Sequence, residues 1–267
     1  MSDTLLDDLR SLGLGHTAET LDDLIAQASK SRLGPRELLE RIAASEKKER
    51  ARRSLERRLA RSRIGRFKPM ADFDWAWPKS IPREAVGAAL ELEFLAEAKN
   101  VILVASQGLG KTMIAQNIAH QALLKGQSVI FTTAAQLLLD LGAQESARSL
   151  EQRLRHYCNR TSLLIVDEVG YLSYDARNAD LLFQVVSRRY ERKSIVMTTN
   201  LTFSEWPEVF PNAACTTAMI DRLVHHAEII SIKGDSYRRR TAMEEAKPAT
   251  KAARAKKSPA GSDSRAS

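Results

Sequence analysis

The chain has 267 residues, enough for one sizeable core and a smaller appendage. Its two cysteines, Cys158 and Cys215, have no metal-type spacing, which is typical of a protein kept reduced in the cytoplasm. No apolar stretch approaches the ~20 residues that a membrane-spanning helix needs, and the acidic N-terminus has no signal-peptide pattern. These features exclude a cysteine metal cluster and a membrane-spanning protein, so we expect a cytoplasmic protein.

The formal net charge of +8 is unevenly distributed. Residues 1–67 carry 15 basic and 11 acidic side chains, residues 68–237 carry 17 and 19, and residues 238–267 carry 9 and 3. A near-neutral middle between two positive ends predicts an extended polyanion as partner, most simply DNA held by phosphate contacts. For the C-terminal end alone, solvated charge that serves solubility is the alternative.

Residues 1–65 are predicted to form a small all-helical domain that contacts DNA or a partner protein. Apolar stripes at helical spacing indicate two short helices within residues 3–30. Pro35 then begins a longer helix, since proline is favoured in the first helical turn. Residues 46–63 of this helix carry nine Lys or Arg against three Glu, more positive charge than pairing requires. An exposed helix covered by salt bridges is the alternative.

Residues 66–82 are rich in proline and are predicted to be an extended linker. We expect its aromatic residues Phe73, Trp75 and Trp77 to pack on the domain that follows, and a wall against an adenine is the alternative. A helix is predicted over residues 84–99, ahead of the first core strand.

Residues 83–240 are predicted to form an α/β domain. Strand-like runs alternate with helical patterns, which predicts a parallel, doubly wound sheet of five strands with its ligand at the carboxyl edge. The runs are residues 101–105, 128–133, 162–167, 194–199 and 228–233.

The first of these strands leads into a glycine-rich turn and then a helix, the order typical of a phosphate-binding loop. The loop comprises Ala105, Ser106, Gln107, Gly108, Leu109, Gly110, Lys111 and Thr112. The glycines allow backbone N–H groups to turn toward a phosphate. Lys111 would reach the β- and γ-phosphates of ATP, and the Thr112 hydroxyl would hold Mg²⁺. A turn that matches the pattern by chance is the alternative.

Ala105 stands where the usual loop has its first glycine. Its methyl group is tolerable if this residue needs no positive φ. The departure also keeps open a nucleotide-binding switch with little hydrolysis, which a steady-state ATPase assay would distinguish.

The third predicted strand ends in Asp167 and Glu168. Asp167 could hold the Mg²⁺ shell, while Glu168 could orient and deprotonate an attacking water. An apolar strand before two carboxylates is common, and an ordinary strand end is the alternative. Because this strand follows the phosphate-binding loop, the pair of motifs favours an ATPase.

Three further residues are candidates for the reaction. Asn200, at the end of the fourth strand, could position the lytic water or read the γ-phosphate. Arg222 could reach the γ-phosphate of a neighbouring subunit and stabilise transition-state charge, with a salt bridge to a nearby acidic group as the alternative. Arg238 could be a second phosphate sensor.

The segment between the second and third strands, residues 134–160, is long enough for two helices. The second predicted helix carries Arg148, Arg153 and Arg155. Beyond residue 240 the chain is basic and polar without apolar periodicity, so residues 241–267 are predicted to be a tail with disorder from about residue 246.

The ordered motifs, including residues 165–172, 198–201, 221–223 and 234–238, resemble the IstB-like ATPases. These are transposition helper proteins of an insertion-sequence family, related to the DnaC helicase loader. The resemblance covers roughly residues 1–240. It implies the initiator clade of the AAA+ fold, homo-oligomers that assemble on duplex DNA with ATP, and cooperation with a transposase in target selection. In this clade an extra helix between the second and third strands has basic side chains that can face DNA. The resemblance thus makes Arg148, Arg153 and Arg155 a second candidate surface for DNA, with an exposed amphipathic helix as the alternative. A helicase loader of the DnaC kind is the alternative function of the chain.

The same resemblance assigns roles residue by residue. It gives Asp167 and Glu168 the Walker B role, beside the phosphate-binding loop. Asn200 becomes sensor I, Arg222 the arginine finger and Arg238 a candidate sensor II. The residues after Tyr237 are too polar to build a helical lid, so the lid is expected to be reduced or absent.

Overall fold

A computed structural model describes residues 3–171, 173–211 and 213–237. The chain divides into two compact units, with the boundary between Arg61 and Ser62. Arg238, the predicted tail and any lid lie outside the described residues. Among the helices of the described part, none combines the length and hydropathy that crossing a bilayer requires.

The first unit consists of helices, as predicted. Helix α1 spans Asp3–Ser11, α2 spans Gly15–Lys30 and α3 spans Pro35–Ser62. A buried carboxylate joins α2 to α3, because Glu46 accepts hydrogen bonds from the Thr17 N–H at 2.8 Å and from the Thr17 hydroxyl at 2.9 Å. Arg50 adds a third bond at 3.0 Å. This unit therefore has a polar contact at its centre instead of a purely apolar core.

Part of the positive charge on α3 is neutralised within the helix. Glu49 accepts bonds from Arg52 and Arg53, and these bonds lower the pKa of Glu49 to about 2. Lys47 and Arg57 have no ion pair among the described residues. The alternative of a helix covered by salt bridges thus describes some of the cations of α3, whereas Lys47 and Arg57 are exposed to solvent.

The second unit contains a five-stranded parallel sheet in the order β2-β3-β4-β1-β5. The strands are β1 Asn100–Ala105, β2 Val129–Thr133, β3 Leu163–Val169, β4 Ile195–Thr199 and β5 Ala227–Ile232. The ends of all five strands agree with the predicted runs to within two residues. Strands β1, β3 and β4 are buried almost throughout, since helices cover both faces of the sheet.

The helices of this unit pack on the sheet in two layers. They are α4 Arg83–Glu91, α5 Lys111–Leu124, α6 Ala134–Gly142, α7 Ala147–Cys158, α8 Ala176–Arg189, α9 Trp206–Val209 and α10 Ala213–Val224. Helix α5 packs across β1 to β4. Alternate strand residues such as Ile102, Leu164 and Met197 instead join a cluster with α6, α8 and α10. Because successive strand residues point to opposite faces, the two sets of helices lie on opposite sides of the sheet.

The predicted helix over residues 84–99 is wrong beyond Glu91. Leu92 adopts a left-handed conformation with φ of 69°, and a 3₁₀ turn follows at Glu93–Leu95. Leu92 and Phe94 are both buried. In a continuous α-helix, residues two apart point about 200° apart, so the turn is what allows both side chains to enter the core.

Residues 66–82 contain ordered contacts within the second unit. A 3₁₀ turn spans Met70–Asp72, and the Met70 N–H donates to Asn117 Oδ1 at 3.1 Å. Phe73 is buried, as its expected packing on the following domain requires. Ser80 pairs with Lys233 in an isolated antiparallel bridge. These contacts bring the segment to the end of β1, where the candidate site lies.

Candidate functional site at the carboxyl edge of the sheet

The turn between β1 and α5 has the backbone shape of an anion cradle. Gly108 has φ of +78° and Gly110 has φ of +89°, a left-handed region in which a side chain is strained. Helix α5 begins at Lys111, directly after Gly110. A helix N-terminus preceded by such glycines presents unpaired N–H groups and a positive dipole end. The backbone therefore fits a phosphate.

Neighbouring segments press on both glycines. A Cβ on Gly110 would lie 2.5 Å from Phe73 Cε2, and a Cβ on Gly108 would lie 2.3 Å from Ser236 Oγ. Either methyl group would collide with a neighbour. The Phe73 ring thus requires glycine at position 110 by close approach as well as by φ, whereas at position 108 the nearest atom is a rotatable hydroxyl and φ is the stronger requirement.

Ala105 does not disturb this turn. It is the last residue of β1, pairs with Ile232 of β5 and has a strand conformation instead of a positive φ. Its methyl group is buried. The condition under which the missing glycine is tolerable is therefore met.

Lys111 folds over the turn. Its Nζ donates to the carbonyl oxygens of Ala105 at 2.6 Å and Ser106 at 2.9 Å. A phosphate on the adjacent N–H groups would meet an ammonium group already at the loop. The side chain is placed to neutralise bound anion charge.

Thr112 and Asp167 touch each other across the edge of the sheet. The Thr112 hydroxyl donates to Asp167 Oδ2 at 2.9 Å. Asp167 is buried and also accepts a hydrogen bond from the Thr198 hydroxyl. A hydroxyl and a carboxylate are the hard oxygen ligands that Mg²⁺ prefers, so this donor set fits Mg²⁺.

Glu168 is the exposed member of the carboxylate pair. Its φ is 61°, in the left-handed region, and its N–H donates to Thr198 Oγ1 at 2.9 Å. It lines a small cavity of about 110 Å³. The lining comprises Gln107, Gly108, Lys111, Glu168, Tyr171, Thr198 and Asn200. The structure thus brings together the predicted Lys111 from the start of α5, Glu168 from β3 and Asn200 from the residue after β4.

Arg222 does not line this cavity. On α10, its Nη1 donates to Ser187 Oγ at 2.6 Å, and its guanidinium lies 4.7 Å from the centroid of the Phe183 ring. No acidic partner of Arg222 is found within the described ranges, so the alternative of a salt bridge is not met and the guanidinium contacts a hydroxyl and an aromatic ring. Any role in hydrolysis would have to be exerted on another subunit.

The sequence did not indicate how residues near the C-terminal end of the described chain meet the loop. The Tyr237 N–H donates to the Gly108 carbonyl at 3.1 Å, and Ser236 lies against the same glycine. Trp77 Nε1 donates to the Asp235 carbonyl at 2.8 Å. These contacts join segments more than a hundred positions apart, and only the glycines and aromatic residues hinted at a close approach.

A second cavity of about 430 Å³ lies beside the loop. Its aromatic and apolar lining includes Phe67, Phe73, Trp77, Leu109, Met113 and Tyr237. The cavity has room for a flat heterocycle next to the anion cradle.

The second candidate DNA surface is partly used within the fold. Arg153 Nη2 lies 2.6 Å from Asp140 Oδ2, and Tyr157 donates to the same carboxylate. Burial would raise the pKa of Asp140, but these hydrogen bonds outweigh it and hold that pKa below its ordinary value. Burial and the contact with Asp140 raise the pKa of Tyr157 to about 12. Arg155 is exposed but pairs with Glu151 at 2.9 Å, so Arg148 is the exposed arginine of this helix without an ion pair to another described residue.

Comparisons with known proteins agree with this geometry. A family model described as IstB-like ATP binding protein matches residues 7–245. A relative named as the ATP-binding protein of insertion sequence IS21 of Pseudomonas aeruginosa is 34% identical over 230 residues, which cover 86% of each chain. Another, named for insertion sequence IS5376 of Geobacillus stearothermophilus, is 34% identical over 84% of this chain and 88% of its own. A crystal structure of DnaI shares the fold, with a TM-score of 0.51 and 19% identity over 65% of this chain and 91% of that chain.

Proposed function

We propose that this chain, which belongs to the IstB-like ATP-binding proteins, hydrolyses ATP and uses the nucleotide to assemble on duplex DNA in support of a transposase. It has the AAA+ fold, and ATP is the ligand named for its family. One observation supports the proposal above all others. Lys111, Glu168 and Asn200 line a single cavity beside the Thr112–Asp167 contact.

The chain would bind ATP through its glycine-rich turn. The N–H groups at the start of α5 would donate to phosphate oxygens, and Lys111 Nζ would exchange its two loop carbonyls for the terminal phosphates. The second cavity would receive the base between aromatic side chains such as Phe73 and Trp77. This arrangement would leave the terminal phosphate facing the first cavity.

The carboxyl edge would hold Mg²⁺ through the Thr112 hydroxyl and the Asp167 carboxylate. When bound, the ion would neutralise charge on the phosphate oxygens. Glu168 would accept a proton from the attacking water, which the Asn200 amide would help to orient. Its exposed position on the cavity wall gives that carboxylate access to water.

Arg222 would act in trans, as a finger that stabilises charge on a neighbouring subunit's terminal phosphate. Its present contacts with Ser187 and the Phe183 ring involve no carboxylate, so an anionic phosphate would compete well for the guanidinium. The role of Arg238 as sensor II stays a proposal from the family resemblance.

DNA would be held by positive charge outside the nucleotide site. Exposed cations of α3, such as Lys47 and Arg57, and Arg148 on α7 are the candidate phosphate contacts. In this proposal residues 1–65 bind DNA or a partner, 66–82 connect, 83–240 form the ATPase domain, and 241–267 add a basic tail. We expect little sequence specificity, since these contacts address phosphates.

Gel filtration and filter binding with duplex DNA test the proposal. With ATP and Mg²⁺ the chain should form large complexes on DNA, and without nucleotide it should stay small or bind weakly. An absence of DNA-stimulated assembly with ATP would contradict the proposal.

A loader for a replicative helicase is the competing function considered from the sequence. The chain shares its fold with DnaI, but the two relatives named above are proteins of insertion sequences. Pull-down of the ATP-bound chain against a replicative helicase and against a transposase would discriminate the two, with retention of the transposase expected.

A further inference from the structure

We infer that Thr198 is a positioning residue of the hydrolytic site, whose one hydroxyl orients both Asp167 and Glu168. The inference rests on the proposed hydrolysis of ATP. It adds to that proposal a residue of β4 that acts through the two carboxylates to which it is hydrogen-bonded.

The first observation is strain in the backbone at Glu168. Its φ of 61° places a residue with a long side chain in the left-handed region, a strained conformation that persists only when neighbouring contacts enforce it. The β3–β4 ladder shifts register between Val166 and Val169, so β3 bulges at this point. The bulge takes the Glu168 N–H out of the ladder and leaves it in need of another acceptor.

Thr198 supplies that acceptor. Its Oγ1 receives the Glu168 N–H at 2.9 Å, and its own proton goes to the Asp167 carboxylate. A hydroxyl has one donor and two acceptor positions, so both bonds form at once. The exposed Glu168 side chain and the buried Asp167 carboxylate are therefore tied to the same atom of β4.

Burial makes this contact durable. Thr198 is 0% exposed, whereas Thr112, the other hydroxyl on Asp167, lies in the first turn of α5 and is only partly buried. If Thr112 turned to Mg²⁺, Thr198 would remain as the donor that keeps Asp167 in place. Thr198 is accordingly the contact that should persist whether the loop is empty or filled.

The test compares Thr198→Val with Thr198→Ser, and uses Thr132→Val as the matched control. Valine keeps the shape and loses both hydrogen bonds, while serine keeps the hydroxyl. Thr132 is a buried threonine on the other neighbour of β3, and its hydroxyl donates only to the Thr133 carbonyl at 3.2 Å. Steady-state kinetics give kcat and KM for ATP separately. Titration of a fluorescent ATP analogue with and without Mg²⁺ gives the gain in affinity that Mg²⁺ provides.

Thr198→Val should lower kcat about 10- to 100-fold with KM changed less than about threefold, in the range found for residues that orient metal ligands. It should also reduce the gain in nucleotide affinity that Mg²⁺ provides by about tenfold. Thr198→Ser and Thr132→Val should stay within about threefold of the parent in both quantities. Parental kcat and an unchanged Mg²⁺ effect in Thr198→Val would overturn the inference.

Two provisions keep the result interpretable. If Thr198→Val does not fold, Thr198→Ala and Thr198→Ser are compared, since they differ by one oxygen atom; equal kcat and equal Mg²⁺ effects in that pair would overturn the inference. If the parent chain hydrolyses no ATP, the proposed function fails, and the Mg²⁺-dependent affinity of the variants still decides whether Thr198 orients Asp167.

Discussion

The two units of this protein use polar groups in different ways. The sheet unit buries its strands and collects its reactive side chains at one edge, where Lys111 begins α5 and Asp167 and Glu168 lie near the end of β3. Glu46 is the one buried carboxylate among the described residues of the helical unit, which carries much of its charge on the outside of α3. At the edge of the sheet, the positions of the side chains indicate which reaction they could perform. On the exposed helix α3, the charges indicate a polyanionic partner but the fold does not identify it.

The helical unit also exposes apolar side chains. Leu5 is 46% exposed, Leu12 71% and Leu39 66%. Scattered exposed leucines are normal on protein surfaces. The comparison of the two units predicts that substitutions at the carboxyl edge of the sheet alter ATP binding or hydrolysis. Substitutions in the helical unit should alter only stability or DNA binding.

The largest effect is expected for Glu168→Gln. The amide cannot accept a proton from water, so steady-state turnover should fall at least ~100-fold, the scale of general base catalysis. Affinity for ATP should stay within about threefold because the phosphate cradle is untouched. A phosphate-release assay and a nucleotide titration measure the two quantities, and normal turnover would show that another group is the base.

Arg222→Ala should lower turnover in the assembled protein by ~100-fold or more and spare ATP binding, since a finger supplies charge only to a neighbour's site. Subunit mixing sharpens this prediction. An inactive Arg222→Ala chain with an intact loop, combined with an inactive Lys111→Ala chain with an intact finger, should regain part of the turnover. If the mixture stays inactive while the two chains assemble together, Arg222 does not act in trans.

Lys111→Ala should weaken ATP binding about 100-fold, the loss expected for a charge-assisted contact of ~3 kcal/mol, and should abolish ATP-dependent assembly on DNA. Lys99→Ala is the control, because Lys99 pairs with Glu97 on the surface. Fluorescent nucleotide titration measures the change. Assembly of Lys111→Ala on DNA at the parental ATP concentration would separate nucleotide binding from assembly.

Glu46→Gln should destabilise the helical unit by ~1–3 kcal/mol, because the bonds from Thr17 and Arg50 lose their charged acceptor. Burial would raise the pKa of Glu46, but these bonds outweigh it and hold that pKa below its ordinary value of 4.5. The stabilisation is thus present above pH 4.5 and lost as the pH falls through the lower, folded-state pKa. Hydrogen exchange in α2 and α3 across this range should show the loss in the parent and not in Glu46→Gln.

The same variant separates the two units. Its affinity for ATP at neutral pH should equal that of the parent, and Glu40→Gln, which removes an exposed partner of Arg36, should change neither property. A loss of ATP affinity in Glu46→Gln would show that the units are coupled.

The smallest effect is expected from removing residues 246–267. DNA affinity should fall a few-fold, and the slope of log affinity against log salt should become shallower by up to ~0.9 for each lost phosphate contact. ATP hydrolysis without DNA should not change. Filter binding at several salt concentrations measures the slope, and an unchanged slope would return the tail to a role in solubility.

The sheet and the phosphate-binding turn could be predicted because their signals are local. Apolar runs such as residues 163–166 alternate with helical patterns, and the glycines at 108 and 110 impose their own backbone geometry. The break of the helix at Leu92 could not be predicted, since the need to bury Leu92 and Phe94 arises only in the folded core.

Contacts over long distances in the chain account for the remaining differences. Arg153 was interpreted as a DNA contact, but its pairing with Asp140 depends on how α6 meets α7. The role of Thr198 depends on a bulge in β3, which no pattern in the sequence predicts. Charged residues and glycines can be identified as candidates from the sequence alone. Residues that position other side chains, such as Thr198, can be identified only from the structure.

An image of the ATP-bound protein assembled on duplex DNA, by electron cryomicroscopy, would test the central claim most directly. The account predicts ATP on the Lys111 turn at a junction between protomers, with Arg222 of the neighbouring protomer at the terminal phosphate and the duplex against basic side chains. Protomers that encircle DNA without nucleotide, or nucleotide held away from every junction, would contradict it.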